Sequence, residues 1–103
     1  MPPKWTLLHP KMLLSHLGRI PSFLEEDDPR SAREQFDANY RFGGWHDFKG
    51  FTLSEGNVLH YPDDPPLHPV ASCRLREELI LFYPSSWVCI IQPDRTFSVA
   101  NLD

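Results

Sequence analysis

His60, Asp63, Asp64 and His68 fall within one short stretch, HYPDDPPLHP, and imidazole with carboxylate is a donor set that suits zinc, manganese or iron. Convergence on a metal requires the backbone to curl. Pro62, Pro65 and Pro66 instead favour extended local conformations that splay their neighbours apart. Asp63 and Asp64 ahead of two prolines also fit turn chemistry, because Asp bonds its own backbone and proline presets φ. The stretch therefore reads first as a stiff loop and second as a ligand site. The other candidate is GGWHDFKGF, residues 43–51, where His46 beside Asp47 suggests an oriented general base. Adjacent side chains seldom face each other, so the preferred reading has Trp45, Phe48 and Phe51 pinning a helix-to-sheet crossing into the core while His46, Asp47 and Lys49 face outward. The same aromatic junction would wall a small-molecule pocket.

No nucleophile constellation stands out. Ser15 beside His16, and Ser85-Ser86 between apolar runs, lack the Gly-x-Ser-x-Gly context that presents a strained serine. Cys73 and Cys89 fall in apolar segments where a thiol is usually inert. Phosphate-binding glycine loops, C-x-x-C pairs and H-E-x-x-H are missing from the sequence, and no cofactor is called for.

The elements that would position these groups are helices first and strands afterwards. Leu13, Leu17, Ile20 and Leu24 recur at helical spacing, which predicts a first helix over 10–17 and a helical turn around 22–26. EEDDPRSAREQF then offers two starts for a second helix: Asp28 as N-cap with Pro29 following, or a capping box from Ser31 to Glu34. Ala32, Phe36 and Tyr40 would face the core, and Gly43-Gly44 would end the helix. FTLS and NVLHY read as a hairpin through Glu55-Gly56. Strands are expected over 73–76, 79–83, 87–92 and 96–102, divided by PSS and PDR turns. In the latter turn the position of Arg95 favours positive φ and hence glycine. The expected fold is a single α+β domain spanning 1–103. Its two N-terminal helices pack on an antiparallel sheet of four to five strands that ends in a C-terminal β-meander. Such a sheet would keep one face free for function.

Composition narrows the partners. The chain has 103 residues and a net charge of −4, with scattered Lys and Arg, so it lacks the basic face that duplex binding requires. No apolar run approaches membrane-spanning length, and MPPKWTLLHPKMLL lacks a leader's apolar region and cleavage site. The expectation is a soluble, cytoplasmic protein whose Cys73 and Cys89 are reduced and buried, a cross-strand disulfide being the alternative. The 11 prolines predict many short elements. The surplus of aromatics predicts an exposed patch, with Tyr61, Tyr83 and Trp87 as its members.

Two stretches, LGRIPSFLEEDDPRSAREQFDANY followed by GGW, and WVCIIQPDRTFSVANLD, resemble short uncharacterised proteins of bacteria, prophages and phages across most of the chain. The resemblance carries no activity or catalytic residue. It implies a setting in which small acidic proteins occlude host complexes, as anti-CRISPR proteins do. The leading expectation is thus a non-enzymatic protein-interaction module, a phage-type inhibitor of a host protein, using Glu25, Glu26 and Asp27 at the helix start together with Tyr61, Tyr83 and Trp87. The alternative is a small-ligand or metal-binding domain, a hydrolase being one form, built on His46, Asp47, His60, Asp63, Asp64 and His68. A homodimer through the C-terminal edge strand is a further expectation.

Overall fold

Ser31 decides where the helix begins. A computed structural model describes residues 21, 23–47 and 49–103, and within them α1 (Ala32–Asn39) starts at a complete capping box. The Ser31 hydroxyl accepts from Glu34 N at 3.2 Å, and Glu34 Oε1 accepts from Ser31 N at 2.9 Å, so two orphan donors are satisfied reciprocally. A third is met from the sheet: Glu78 Oε1, buried, accepts from Ala32 N at 2.8 Å. Asp28, the rival cap, turns to its neighbour and accepts from Arg30 N at 2.9 Å, besides pairing with the Arg30 guanidinium. Those bonds hold its carboxyl at about 2, below the usual carboxylate range.

The helix stops earlier than the glycines suggested. Asn39 Nδ2 donates to Gln35 O at 2.8 Å, which takes up a terminal carbonyl, and Tyr40 is an extended C-cap and not part of the helix. The helix expected over 10–17 lies outside the described residues. In place of a helical turn around 22–26, the described part forms separate tight turns, Leu24 N to Pro21 O and Asp28 N to Glu25 O.

Two antiparallel sheets follow. The hairpin pairs β1 (Thr52–Ser54) with β2 (Val58–His60) through Glu55, Gly56 and Asn57, one residue longer than the tight turn expected. The larger sheet has the order β3 (Ala71–Leu75), β4 (Glu78–Phe82), β5 (Trp87–Ile91), β6 (Phe97–Asn101), each strand beside its sequence neighbour.

Both faces of this sheet are covered across β4–β6, which corrects the expectation of a free face, while at β3 Ser72 and Arg74 stay exposed. On one side Leu75, Ile80, Phe82, Val88, Ile90, Ala100 and Leu102 pack against Ala32 and Phe36 of α1. On the other, Leu81, Tyr83, Cys89 and Val99 pack against Leu59 of the hairpin, with Phe51, Leu67 and Trp87 around them. The reason is visible in Leu79–Tyr83 and Val88–Ile91. These runs are continuously apolar where a one-faced strand would alternate. The thiols divide between the faces, Cys73 joining the helix side and Cys89 the hairpin side. With β4 between their strands, the backbones are roughly 9.5 Å apart, beyond the reach of a disulfide. Both are free, and burial pushes them up to about 11 and 12. No helix among the described residues is long and apolar enough to cross a membrane.

The edge of β6, expected to accept a second copy, is occupied at its middle. His46 N donates to Val99 O at 2.7 Å and Val99 N to His46 O at 2.8 Å. A swapped-in strand would have to displace that pair. At the β5–β6 turn, Gln92 N reaches Thr96 O across Pro93, Asp94 and Arg95, and Arg95 adopts φ 73. This is a three-residue hairpin whose last position is left-handed. Arg95→Gly is accordingly expected to stabilise the fold by about 1 kcal/mol, seen as a higher urea midpoint with an unchanged slope.

Candidate functional site: an aromatic cleft at the sheet edge

The chain crosses the edge of β6 between Trp45 and Phe51, and Phe48, expected to help pin this crossing, lies outside the described residues. Trp45 packs on the helix side, 5.7 Å from the Phe36 ring, and Phe51 packs on the hairpin side, 5.7 Å from Trp87. His46 pairs with Val99 between them. This crossing separates His46 from Asp47. Asp47 Oδ1 takes a 2.9 Å bond from Arg33 and another of 2.9 Å from Ser98 Oγ, so it clamps α1 to β6, while Arg33 also lies 5.5 Å over the Trp45 ring. The pair does not form an oriented general base.

HYPDDPPLHP closes back on the hairpin. Asp64 N donates to Tyr61 O at 3.1 Å, and Asp63 takes φ 68. Proline second and positive φ third is the arrangement of a type II turn, with aspartate where glycine is usual. The chain then returns so that Leu59 and Leu67 exchange two backbone bonds of 2.9 Å. That doubling-back stands Asp64 and Pro65 opposite the 46–51 crossing.

Between these walls lies a cleft of about 460 Å³, lined by His46, Lys49, Phe51, Leu59, Tyr61, Asp64, Pro65, Leu67 and Trp87. Phe51 is its hub: the Tyr61 ring lies 4.6 Å away at 46°, Trp87 at 56°, and His46 6.2 Å away. Tyr61 is 45% exposed, yet its ring rests on Gly50, where an added Cβ would fall 2.8 Å from Tyr61 Cε1. Gly50 also has φ 76, so both its backbone and its missing side chain are needed. Gly50→Ala is expected to cost about 1–2 kcal/mol and to displace the Tyr61 ring, detectable as ring-proton shifts at Tyr61 and Phe51.

The candidate residues fare unequally. His46 and Asp64 both line the cleft, and both are exposed. His60 Nε2 instead bonds Ser54 Oγ across the hairpin at 2.8 Å, Asp63 and His68 are exposed, and Asp47 belongs to the helix clamp. Among the described residues no group of three or more His, Cys, Asp or Glu could hold a metal ion. Of the aromatic patch, Tyr61 and Trp87 line the cleft, but Tyr83 is corrected: it is fully buried, and its hydroxyl donates to Asn57 O at 2.8 Å. It faces the hairpin, which covers that side of the sheet over β4–β6.

Comparison of the chain with protein-family models, curated proteins and solved structures gives no match. The site's own chemistry carries the reading.

Glu25, Glu26 and Asp27 are exposed, but the loop that bears them is tied down. Arg76 donates to the carbonyls of Glu26, Asp28 and Arg30 at 2.7, 2.8 and 2.6 Å. Buried Gln35 accepts from Glu25 N and donates to the carbonyls of Glu25 and Arg30. Neither residue was legible as an anchor, since a polar residue on a helix or in a turn ordinarily reads as solvated. Leu59 and Leu67 were likewise missed as cleft walls, whereas the run to Phe51 had marked one wall.

Proposed function

We propose that the protein is a non-enzymatic ligand-binding module and that the aromatic cleft is its binding site. The observation that carries this reading is a cleft of about 460 Å³ whose aromatic walls are joined by His46, Lys49 and Asp64. Its size and its mixture of apolar walls with a few polar groups are those of small-molecule sites. Packing of Tyr61 on Gly50 and Phe51 pre-organises a wall that would otherwise lose side-chain entropy on binding.

Native mass spectrometry of the intact chain, mixed with the low-molecular-mass fraction of a bacterial extract, tests this. The expected result is a discrete mass increment that Trp87→Ala, shown to be folded by circular dichroism, does not retain. The same increment on both proteins, or none on either, argues against it.

A second reading is a protein-interaction module, a phage-type inhibitor that occludes a bacterial host protein. Its support is Tyr61, 45% exposed at the cleft, since half-exposed aromatics are common interface anchors. Retention of a host protein that is lost with Tyr61→Ala, without any low-mass increment, would favour it over the first.

A further inference from the structure

Resting on the reading of the cleft as a binding site, we infer that its ligand is a small zwitterion that joins a quaternary ammonium group to a carboxylate or phosphate. The first argument is the shape of the walls. A flat ligand such as a nucleobase is held best between two parallel faces roughly 7 Å apart, one contact distance on each side. Here Tyr61 and Trp87 flank Phe51 at 46° and 56°. All three rings line the cleft without forming a parallel slot, which suits a round group better than a flat one, and a trimethylammonium head is round, weakly hydrated and attracted to the negative faces of aromatic rings.

The second argument is charge. Asp64 and Lys49 line the same cleft, and the ion pairs among the described residues are Arg30 with Asp28 and Arg33 with Asp47. Lys49 and Asp64 thus line one cleft, both exposed, with no ion pair between them. A simple cation would satisfy Asp64 but meet Lys49, and a simple anion would do the reverse. A zwitterion answers both: its ammonium head lies on the rings beside Asp64, and its anionic group reaches Lys49, with the His46 ring lining the same cleft.

The test is a titration of the isotopically labelled full chain, followed by nuclear magnetic resonance. The probes are phosphocholine, glycine betaine, tetramethylammonium and 3,3-dimethylbutyl phosphate, in which a neutral tert-butyl group replaces the ammonium. The expected result is saturable shifts at Phe51, Tyr61 and the Trp87 indole with phosphocholine or betaine, and binding about tenfold weaker for the neutral isostere. Asp64→Asn should weaken both zwitterions, and because the backbone of Asp64 closes its turn, the fold should survive. Lys49→Met should weaken the zwitterions while tightening tetramethylammonium, which then no longer meets the lysine. Phosphatidylcholine vesicles separate the sources: a free solute is expected, so the protein should not co-sediment, and co-sedimentation would keep the chemistry while assigning it to a lipid headgroup. Equal affinity for the neutral isostere overturns the inference and leaves the cleft a binding site. Failure of every probe to shift the cleft residues also overturns it, and the mass increment from extract then decides separately whether the cleft binds anything.

Discussion

Phe36→Ala is expected to lower stability by about 3–5 kcal/mol, a large share of the roughly 5–15 kcal/mol a domain possesses. Phe36 is fully buried and its ring touches Phe23, Trp45, Tyr40 and Phe82 at centroid distances of 5.2, 5.7, 6.0 and 6.4 Å. These rings come from the loop before α1, the crossing after it and the sheet, so one truncation opens all their seams. The helix cannot compensate. Its eight residues bury only Ala32, Gln35 and Phe36, and a helix this short is marginal without tertiary packing. Urea denaturation followed by circular dichroism should show a markedly lower midpoint. A loss below about 1 kcal/mol would mean that α1 is not packed on the sheet as described.

Tyr83 should be nearly as sensitive, on the opposite face. Its ring lies in the core with Leu59, Leu81, Cys89 and Val99, and its hydroxyl donates to Asn57 O at 2.8 Å in the β1–β2 turn. Burial pushes the phenol well above its ordinary range, so it remains the donor at any physiological pH. Tyr83→Phe removes only that bond and leaves the Asn57 carbonyl short of a partner, at an expected cost of about 1–2 kcal/mol. Tyr83→Ala also empties the core and should cost about 3–5 kcal/mol. The difference between the two variants, measured by the same denaturation, isolates the ring from its hydroxyl. If Tyr83→Phe were neutral, the hairpin would not be held through Asn57.

Local signals in the sequence were readable where chemistry and conformation coincide. Ser31 and Glu34 marked one of two possible helix starts, and the structure takes it, because the capping box is a bond between neighbours; Arg95 marked a left-handed turn because hairpin geometry dictates φ there. Asp63 and Asp64 were readable as turn residues for the same reason. What failed was tertiary. A sheet covered on one face only would need the alternation that LILFY and VCII lack, and it would put Tyr83 in solvent. His46 and Asp47 looked like one unit because they are adjacent. In the fold the chain rounds the β6 edge between them, sending one to the cleft and the other to α1. The Leu59–Leu67 bridge, which turns a stiff proline loop into a cleft wall, spans too few residues to leave a period in the sequence.

The central claim, that the aromatic cleft is a binding site for a methylated ammonium group, is tested most directly by intermolecular nuclear Overhauser effects at saturating phosphocholine. The account predicts transfer from the ligand's methyl protons to the ring protons of Phe51, Tyr61 and Trp87 together. Transfer to none of these rings, or only to the Phe42 and Trp45 rings on the helix side of the sheet, would contradict it.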